Sequence, residues 1–393
     1  MSAFIRLLGE GFRVFFLSAG LYAVAAIGLW LVWLTTPLTL PTAAPPADWH
    51  AHEMVFGYGA AALGGFFLTA VPNWTGAKAA RHVFIGAAAA IWLAGRIAVA
   101  WSGHLPPALV AAADLAFLPV LGAKIATQLI RRPKPQNVMF LALLAILWAA
   151  NLSVHLEWTG VTGDTARRGL YAGLYLLAAM IAVLGGRITP AFTRNAMTRT
   201  GREAGLPRSF APLDAVAIAT AIALPVATLA ALPEAVTGAI ALVGGAAQIA
   251  RLAFWRPGFT WGQPILWSLH LSFALVGLGL VLTGLAAFGL GNPVAAVHLL
   301  AIGGVGGMTL AVMSRASLGH SGRPLIAPRP VAIAYLCLPL AGLSRWAAST
   351  FAVLYLPATL TAGVLWTAAF VLYVAALWPV FWGPRLPAER GAP

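Results

Sequence analysis

Long apolar runs separated by short polar segments make up almost the whole chain. A helix needs roughly 20 consecutive apolar residues to cross a hydrocarbon core about 30 Å thick. Reading each run of that length as one helix predicts twelve transmembrane spans, with boundaries good to about two to four residues. The predicted spans are 13-34, 50-72, 83-101, 108-130, 137-156, 168-188, 210-230, 235-252, 263-288, 293-313, 331-349 and 359-381. The pattern therefore predicts an all-α, polytopic membrane bundle, with a single transmembrane domain over residues 1-393.

Lysine and arginine are distributed very unequally between the two sets of predicted loops. The set that contains both termini holds almost all of them, including Arg390, whereas the opposite set holds only Arg167 and Arg168. Cytoplasmic loops of membrane proteins carry the excess of Lys and Arg. We therefore expect both termini in the cytoplasm and a multi-pass protein of the bacterial inner (cytoplasmic) membrane.

Composition supports the membrane assignment and excludes several other classes. The chain is 61% hydrophobic and 9% charged, whereas soluble domains are roughly 25% charged. The net charge of +14 then reflects the cytoplasmic loops, and we expect a lipid bilayer and no nucleic acid as partner. Cys337 is the only cysteine, which excludes disulfides and the Cys-x-x-Cys-His attachment of a c-type haem.

Polar side chains inside the predicted spans concentrate in the outer half of the membrane. They are His50, His52 and Glu53 in helix 2, Arg96 in helix 3, Asp114 in helix 4, Asn151 and His155 in helix 5, His298 in helix 10 and Arg345 in helix 11. Ionisable residues in a membrane rarely face lipid and usually mark a functional site. We therefore expect one interior site in the outer half of the bundle, with His270 of helix 9 lying deeper.

Each histidine taken alone can also be interpreted as a residue that binds no metal. His50 and His52 could face water at the interface, and a lone His155 or His298 is more often a hydrogen-bonded core residue than a ligand. Their shared depth favours a joint site, because neutral imidazole is the commonest protein ligand for copper, zinc and haem iron.

Four sequence motifs carry a resemblance to a known family. They are His50-Ala-His-Glu-Met, Leu68-Thr-Ala-Val-Pro-Asn-Trp-Thr-Gly76, the segment from Arg187 to Asn195, and Met308-Thr-Leu-Ala-Val-Met-Ser-Arg-Ala-Ser-Leu-Gly-His320. Together they resemble the NnrS family, from about residue 6 to about residue 382. The resemblance implies a membrane protein that binds haem and copper, interacts with nitric oxide, and protects against nitrosative stress or acts during denitrification.

The depth of the polar residues then suggests roles for them. His52, His155 and His298 are the first choice of metal ligands, with His50 and His270 next. Because His50 and His52 diverge by about 200° on a regular helix, they would serve one metal only if the helix begins between them. Otherwise they serve two different centres, or one of them is idle. The haem would be non-covalent haem b, since there is no Cys-x-x-Cys-His motif.

The remaining polar residues in the outer half of the membrane have supporting roles in this interpretation. Arg96 and Arg345 would bind the haem propionates, and Asn151 is a further cofactor-binding residue. Glu53 is the candidate catalytic residue, as a proton carrier or as a partner of a ligating histidine.

Three classes of function remain open. The first is a haem- and copper-containing protein that binds or consumes nitric oxide, as an oxidoreductase if it turns nitric oxide over, with an unknown electron donor. Its twelve helices are then similar to those of haem-copper oxidases, although helix 7 holds no histidine. The second is a proton-coupled secondary transporter without a redox cofactor. The third is a haem or copper insertion factor or a regulatory membrane protein.

Overall fold

Twelve long apolar helices dominate the computed structural model, which describes residues 2–387. This confirms the predicted all-helical bundle and its number of spans; Arg390 lies outside the described residues. In chain order we name the helices α1 Gly11–Thr35, α2 Pro46–Thr75, α3 Val83–Ala100, α4 Pro107–Leu129, α5 Pro135–Trp158, α6 Ala166–Arg199, α7 Ala211–Leu229, α8 Glu234–Ala253, α9 Pro264–Ala287, α10 Pro293–His320, α11 Arg329–Thr350 and α12 Ala352–Trp382.

Two helices continue well past their predicted ends. The sequence predicts that the sixth span ends at 188 and the tenth at 313, but the structure extends α6 to Arg199 and α10 to His320. The polar residues that mark these ends in the sequence remain helical, and Arg315 lies over the Phe192 ring with its guanidinium carbon 3.9 Å from the ring centroid. A helix that leaves the apolar core can continue with polar residues, since backbone hydrogen bonding does not depend on hydropathy.

The first and last spans meet at one end of the bundle. The Arg13 guanidinium donates to the carbonyl oxygens of Val380 at 2.7 Å and Phe381 at 3.0 Å. We call this the termini end. Since α1 leads away from it, α2 starts at the opposite end, which we call the histidine end because His50 and His52 lie there.

Four helices, α2, α6, α9 and α10, are the most buried and form the centre of the bundle. Two of them contain π-helical turns, over Glu53–Gly59 in α2 and over Leu299–Gly306 in α10. Each segment begins directly after a histidine, His52 or His298. Such turns insert an extra residue into a helix and are frequent at functional sites.

Candidate metal centre

The first turns of α2 place His50 and His52 on different sides of the helix. Pro46 occupies the first helical turn, where its missing N–H is tolerated. Residues two apart on a helix point about 200° apart, and the structure gives the two imidazoles different neighbours. The histidine end therefore contains two groups of polar side chains.

The first group, the acidic cluster, is formed by helices α2 to α5. Its members are His52, Glu53, Arg96, Asp114, Asn151 and His155. Arg96 pairs with both carboxylates: Nη1 lies 2.7 Å from Oε1 of Glu53, and Nη2 pairs with Oδ1 of Asp114. Oδ2 of Asp114 lies 2.8 Å from Asn151 Nδ2 and 2.7 Å from His155 Nε2. All six side chains are buried.

Two glycines allow these side chains to approach each other. A Cβ atom on Gly95 would lie 3.0 Å from Asp114 Cα, so the glycine brings α3 and α4 together beside Arg96. A Cβ atom on Gly57 would lie 3.1 Å from both Arg96 Nη1 and Glu53 Oε2. The small residues of α2 and α3 thus make room for the guanidinium between the carboxylates.

His52 has a hydrogen-bond acceptor at each ring nitrogen. Its Nδ1 lies 2.9 Å from Glu53 Oε1, and its Nε2 lies 3.0 Å from Asn151 Oδ1 and 3.2 Å from Asp114 Oδ2. The Asn151 amide nitrogen donates to Asp114, so its oxygen faces the imidazole. A neutral imidazole donates from one nitrogen only. One ring nitrogen of a neutral His52 therefore faces acceptors without a proton of its own. A further cation, either an additional proton or a metal ion, would satisfy it.

The charges of the acidic cluster lead to the same requirement. With both imidazoles neutral, the two carboxylates outnumber the guanidinium of Arg96, and a buried unbalanced charge is strongly unfavourable. One ligand atom each of His52, Asp114 and His155 lies within 4.8 Å of the others. Two imidazole nitrogens and a carboxylate oxygen form a donor set that suits copper, zinc or iron. The residues present therefore fit a metal ion.

The second group is the histidine pair, His50 of α2 and His298 of α10. Their ring centroids are 6.5 Å apart with planes 9° from parallel, and Trp30 stacks on His50 at 4.7 Å. His298 Nδ1 donates to the Val294 carbonyl oxygen at 2.7 Å, which leaves Nε2 with a free lone pair. His50 Nδ1 is buried without a hydrogen-bond partner in the described residues. Both rings thus keep a nitrogen available for a ligand.

Within residues 2–387, the cation close enough to act electrostatically on both rings of the histidine pair is Arg345 of α11. Its guanidinium contacts the Ser349 hydroxyl. Among the described residues no carboxylate pairs with it. In contrast to the acidic cluster, the histidine pair therefore lies in a positive environment.

The family model for the NnrS protein matches residues 6–385, nearly the whole chain. The chain belongs to the NnrS family. Membership suggests a membrane protein of the nitric oxide response, and the family is associated with metal binding. No curated protein matches the chain.

In this NnrS family member, the predicted site residues divide differently from the single site that their depth suggests. His52 and His155 lie together in the acidic cluster, whereas His298 lies beside His50. His270 is in neither group: its Nε2 lies 2.8 Å from the Thr193 hydroxyl, nearer the termini end, and its Nδ1 is buried without a partner. Depth along each helix placed the histidines at the correct end but did not determine which pairs meet.

The structure also shows which side chains the predicted supporting residues contact. Arg96 pairs with Glu53 and Asp114, so it is not available for a propionate as expected. Arg345 lies near the histidine pair, and its role in binding a propionate stays a prediction. Glu53 lies within hydrogen-bond distance of His52 Nδ1, and Asn151 Oδ1 lies within hydrogen-bond distance of His52 Nε2.

Three side chains of the candidate site have roles that the sequence did not assign to them. Asp114 belongs to the predicted group of polar residues in the outer half of the membrane, but no ligand role was assigned to it. Its charge inside a span was the signal that could have identified it as a metal ligand. Tyr22, whose hydroxyl donates to Glu53 Oε2, and Trp30 are aromatic residues of α1. Nothing distinguishes them in sequence from the aromatic residues that pack other membrane helices.

Proposed function

We propose that this chain is an inner-membrane protein that holds a b-type haem and a copper ion, and that binds or consumes nitric oxide to protect against nitrosative stress. The observation that carries the proposal is the division of the histidines into two groups with opposite electrostatic environments. We assign copper to the acidic cluster and haem to the histidine pair. The histidine end then faces outward, as the distribution of Lys and Arg predicts.

The acidic cluster suits copper because a bound cation would balance its charge. His52, Asp114 and His155 would be the ligands. Glu53 accepts from His52 Nδ1, which orients the ring and directs Nε2 toward the metal, as the outer partners of ligating histidines commonly do. Glu53 also accepts from Tyr22 and Arg96, so the chain fixes its position from three sides. In this proposal Glu53, as a carboxylate, keeps the His52 proton on Nδ1 and so leaves Nε2 free to bind the metal.

The histidine pair suits haem because two imidazoles face each other beside an unpaired cation. Their ring centroids lie 6.5 Å apart, so a haem held by either ring would lie beside the other. The free Nε2 of His298 is the first choice of ligand atom for the haem iron, and the buried, unpartnered Nδ1 of His50 is the next; one of them would leave the iron a position for nitric oxide. Arg345 would neutralise a propionate, and Trp30 covers the His50 ring. When bound, haem iron and copper would supply the redox-active metals at which nitric oxide binds.

Two histidine variants test the assignment of the metals. His298→Ala should abolish the haem absorption bands while copper content stays near that of the unchanged protein. His155→Ala should lower copper content and leave the haem bands. Both are measured by reduced-minus-oxidised optical spectra and by metal analysis of detergent-purified protein, before and after addition of nitric oxide.

The matched control is His104→Ala, because His104 is exposed in the loop after α3. Its spectrum and copper content should equal those of the unchanged protein. Loss of both cofactors in both variants would contradict the assignment to two centres. A colourless, metal-free protein, even after haem-supplemented expression, would reject the proposal and favour a proton-coupled transporter.

A further inference from the structure

A small cavity of about 60 Å³ lies among α2, α6 and α10, in the middle of the bundle. Its walls include Gly59, Ala62, Ile181, Met180 and Met308, and they are apolar except at Thr309. The Thr309 hydroxyl is already bonded, to Tyr58 and to the Val305 carbonyl oxygen. Cavities without free polar groups stay dry and accept apolar guests such as xenon.

The cavity lies directly below the candidate site, on the same two helices. Gly59 is the last residue of the π-helical segment of α2, and Val305 belongs to that of α10. Each is seven residues beyond a histidine, His52 or His298, which corresponds to about 10 Å along a helix. The nearest wall residues of the cavity are therefore roughly 10 Å along α2 and α10 from His52 and His298.

One side of the cavity reaches the lipid-facing surface. Its lining residues Leu63, Phe66 and Val312 are only partly buried. They lie within the predicted apolar spans, in the half nearer the termini end, where the surroundings of the protein are hydrocarbon. The medium outside the cavity is therefore lipid.

We infer that this cavity binds nitric oxide, a small neutral diatomic gas, which enters from the hydrocarbon phase and reaches the candidate site from there. The inference rests on the proposed function, since it assigns a route to the same site. The volume suits one or two diatomic molecules and is too small for an acyl chain. Unbranched side chains such as Met180 and Met308 can rearrange to let a guest pass.

Filling the cavity should slow access of a gas to the haem. The variants Ala62→Phe and Ile181→Trp add bulk at two separate walls, and Ala90→Phe is the control because Ala90 is exposed on α3. Carbon monoxide serves as the unreactive probe, by flash photolysis of the ferrous protein in nanodiscs. We expect each filling variant to lower the bimolecular recombination rate by about tenfold, within the range seen among variants of one site, with unchanged haem spectra. Unchanged rates in both variants would overturn the inference.

Xenon provides a measurement that needs no haem. Xenon-pressurised crystals of the unchanged protein should show anomalous density between α2, α6 and α10, and this density should vanish in Ala62→Phe. No xenon there, or density for a lipid chain, would reject the cavity as a gas site. A protein without haem bands would instead reject the proposed function while leaving the xenon result interpretable.

Discussion

Arg96 determines the charge balance of the acidic cluster, because it is the only cation among its side chains apart from the imidazoles. It pairs with Glu53 through one nitrogen and with Asp114 through another. A planar guanidinium can do this, whereas an ammonium is a single point charge. The two carboxylates that orient His52 and His155 are therefore both held by one side chain of α3.

Removing this cation should destabilise the protein. In Arg96→Gln the carboxylates of Glu53 and Asp114 lose their counter-charge in a buried site, and breaking a buried pair in this way costs about 3–5 kcal/mol. We expect a lower apparent unfolding temperature, measured by tryptophan fluorescence of the detergent-purified protein. Arg167→Gln, at an exposed position, is the control and should change little. An Arg96→Gln protein as stable as the control would show that the cluster is not held by charge.

Two helices, α2 and α10, carry the histidines of the pair and also the π-helical turns. In both, glycines follow the histidine: Gly57 and Gly59 in α2, and Gly303, Gly304 and Gly306 in α10. A π-helical turn shifts the angular position of every residue after it. The side chains before and after each turn therefore face different neighbours from those that a regular helix would give them.

Gly57 is a position at which a substitution tests this geometry. In Gly57→Ala the added Cβ would meet the Tyr22 ring, Arg96 Nη1 and Glu53 Oε2, and overpacking of this kind typically costs about 1–3 kcal/mol. We expect a lower unfolding temperature together with reduced copper content. Gly28→Ala in α1 is the matched control, since nothing lies within 4 Å of its Cβ position. Equal behaviour of the two variants would contradict the packing seen around Arg96.

At the scale of the whole molecule, the orientation in the membrane can be tested with single cysteines. In a Cys337→Ala background, His104→Cys lies at the histidine end and Lys134→Cys at the termini end, and both positions are exposed. We expect a membrane-impermeant maleimide to label position 104 in cells with a permeabilised outer membrane. Position 134 should require disruption of the inner membrane, because Lys and Arg favour the cytoplasmic side. The reverse labelling pattern would invert the proposed topology.

The fold could be predicted from sequence to a large extent because membrane spans follow from a one-dimensional property. Length and hydropathy of each run suffice to identify a helix, since the thickness of the bilayer sets both. This is why all twelve spans were found. Helix ends at Arg199 and His320 were missed, because a helix can continue after its hydropathy falls.

Depth is the second quantity that the sequence by itself determined. It placed His50, His52, His155 and His298 at one end of the bundle, since position along a helix converts directly into height at about 1.5 Å per residue. Which side chains meet at that height was decided only by tertiary structure. The direction of each side chain depends on helix rotation, on the π-helical turns and on contacts such as Gly95 against Asp114. Those quantities arise from packing between distant segments, and they separated His50 and His298 from His52 and His155.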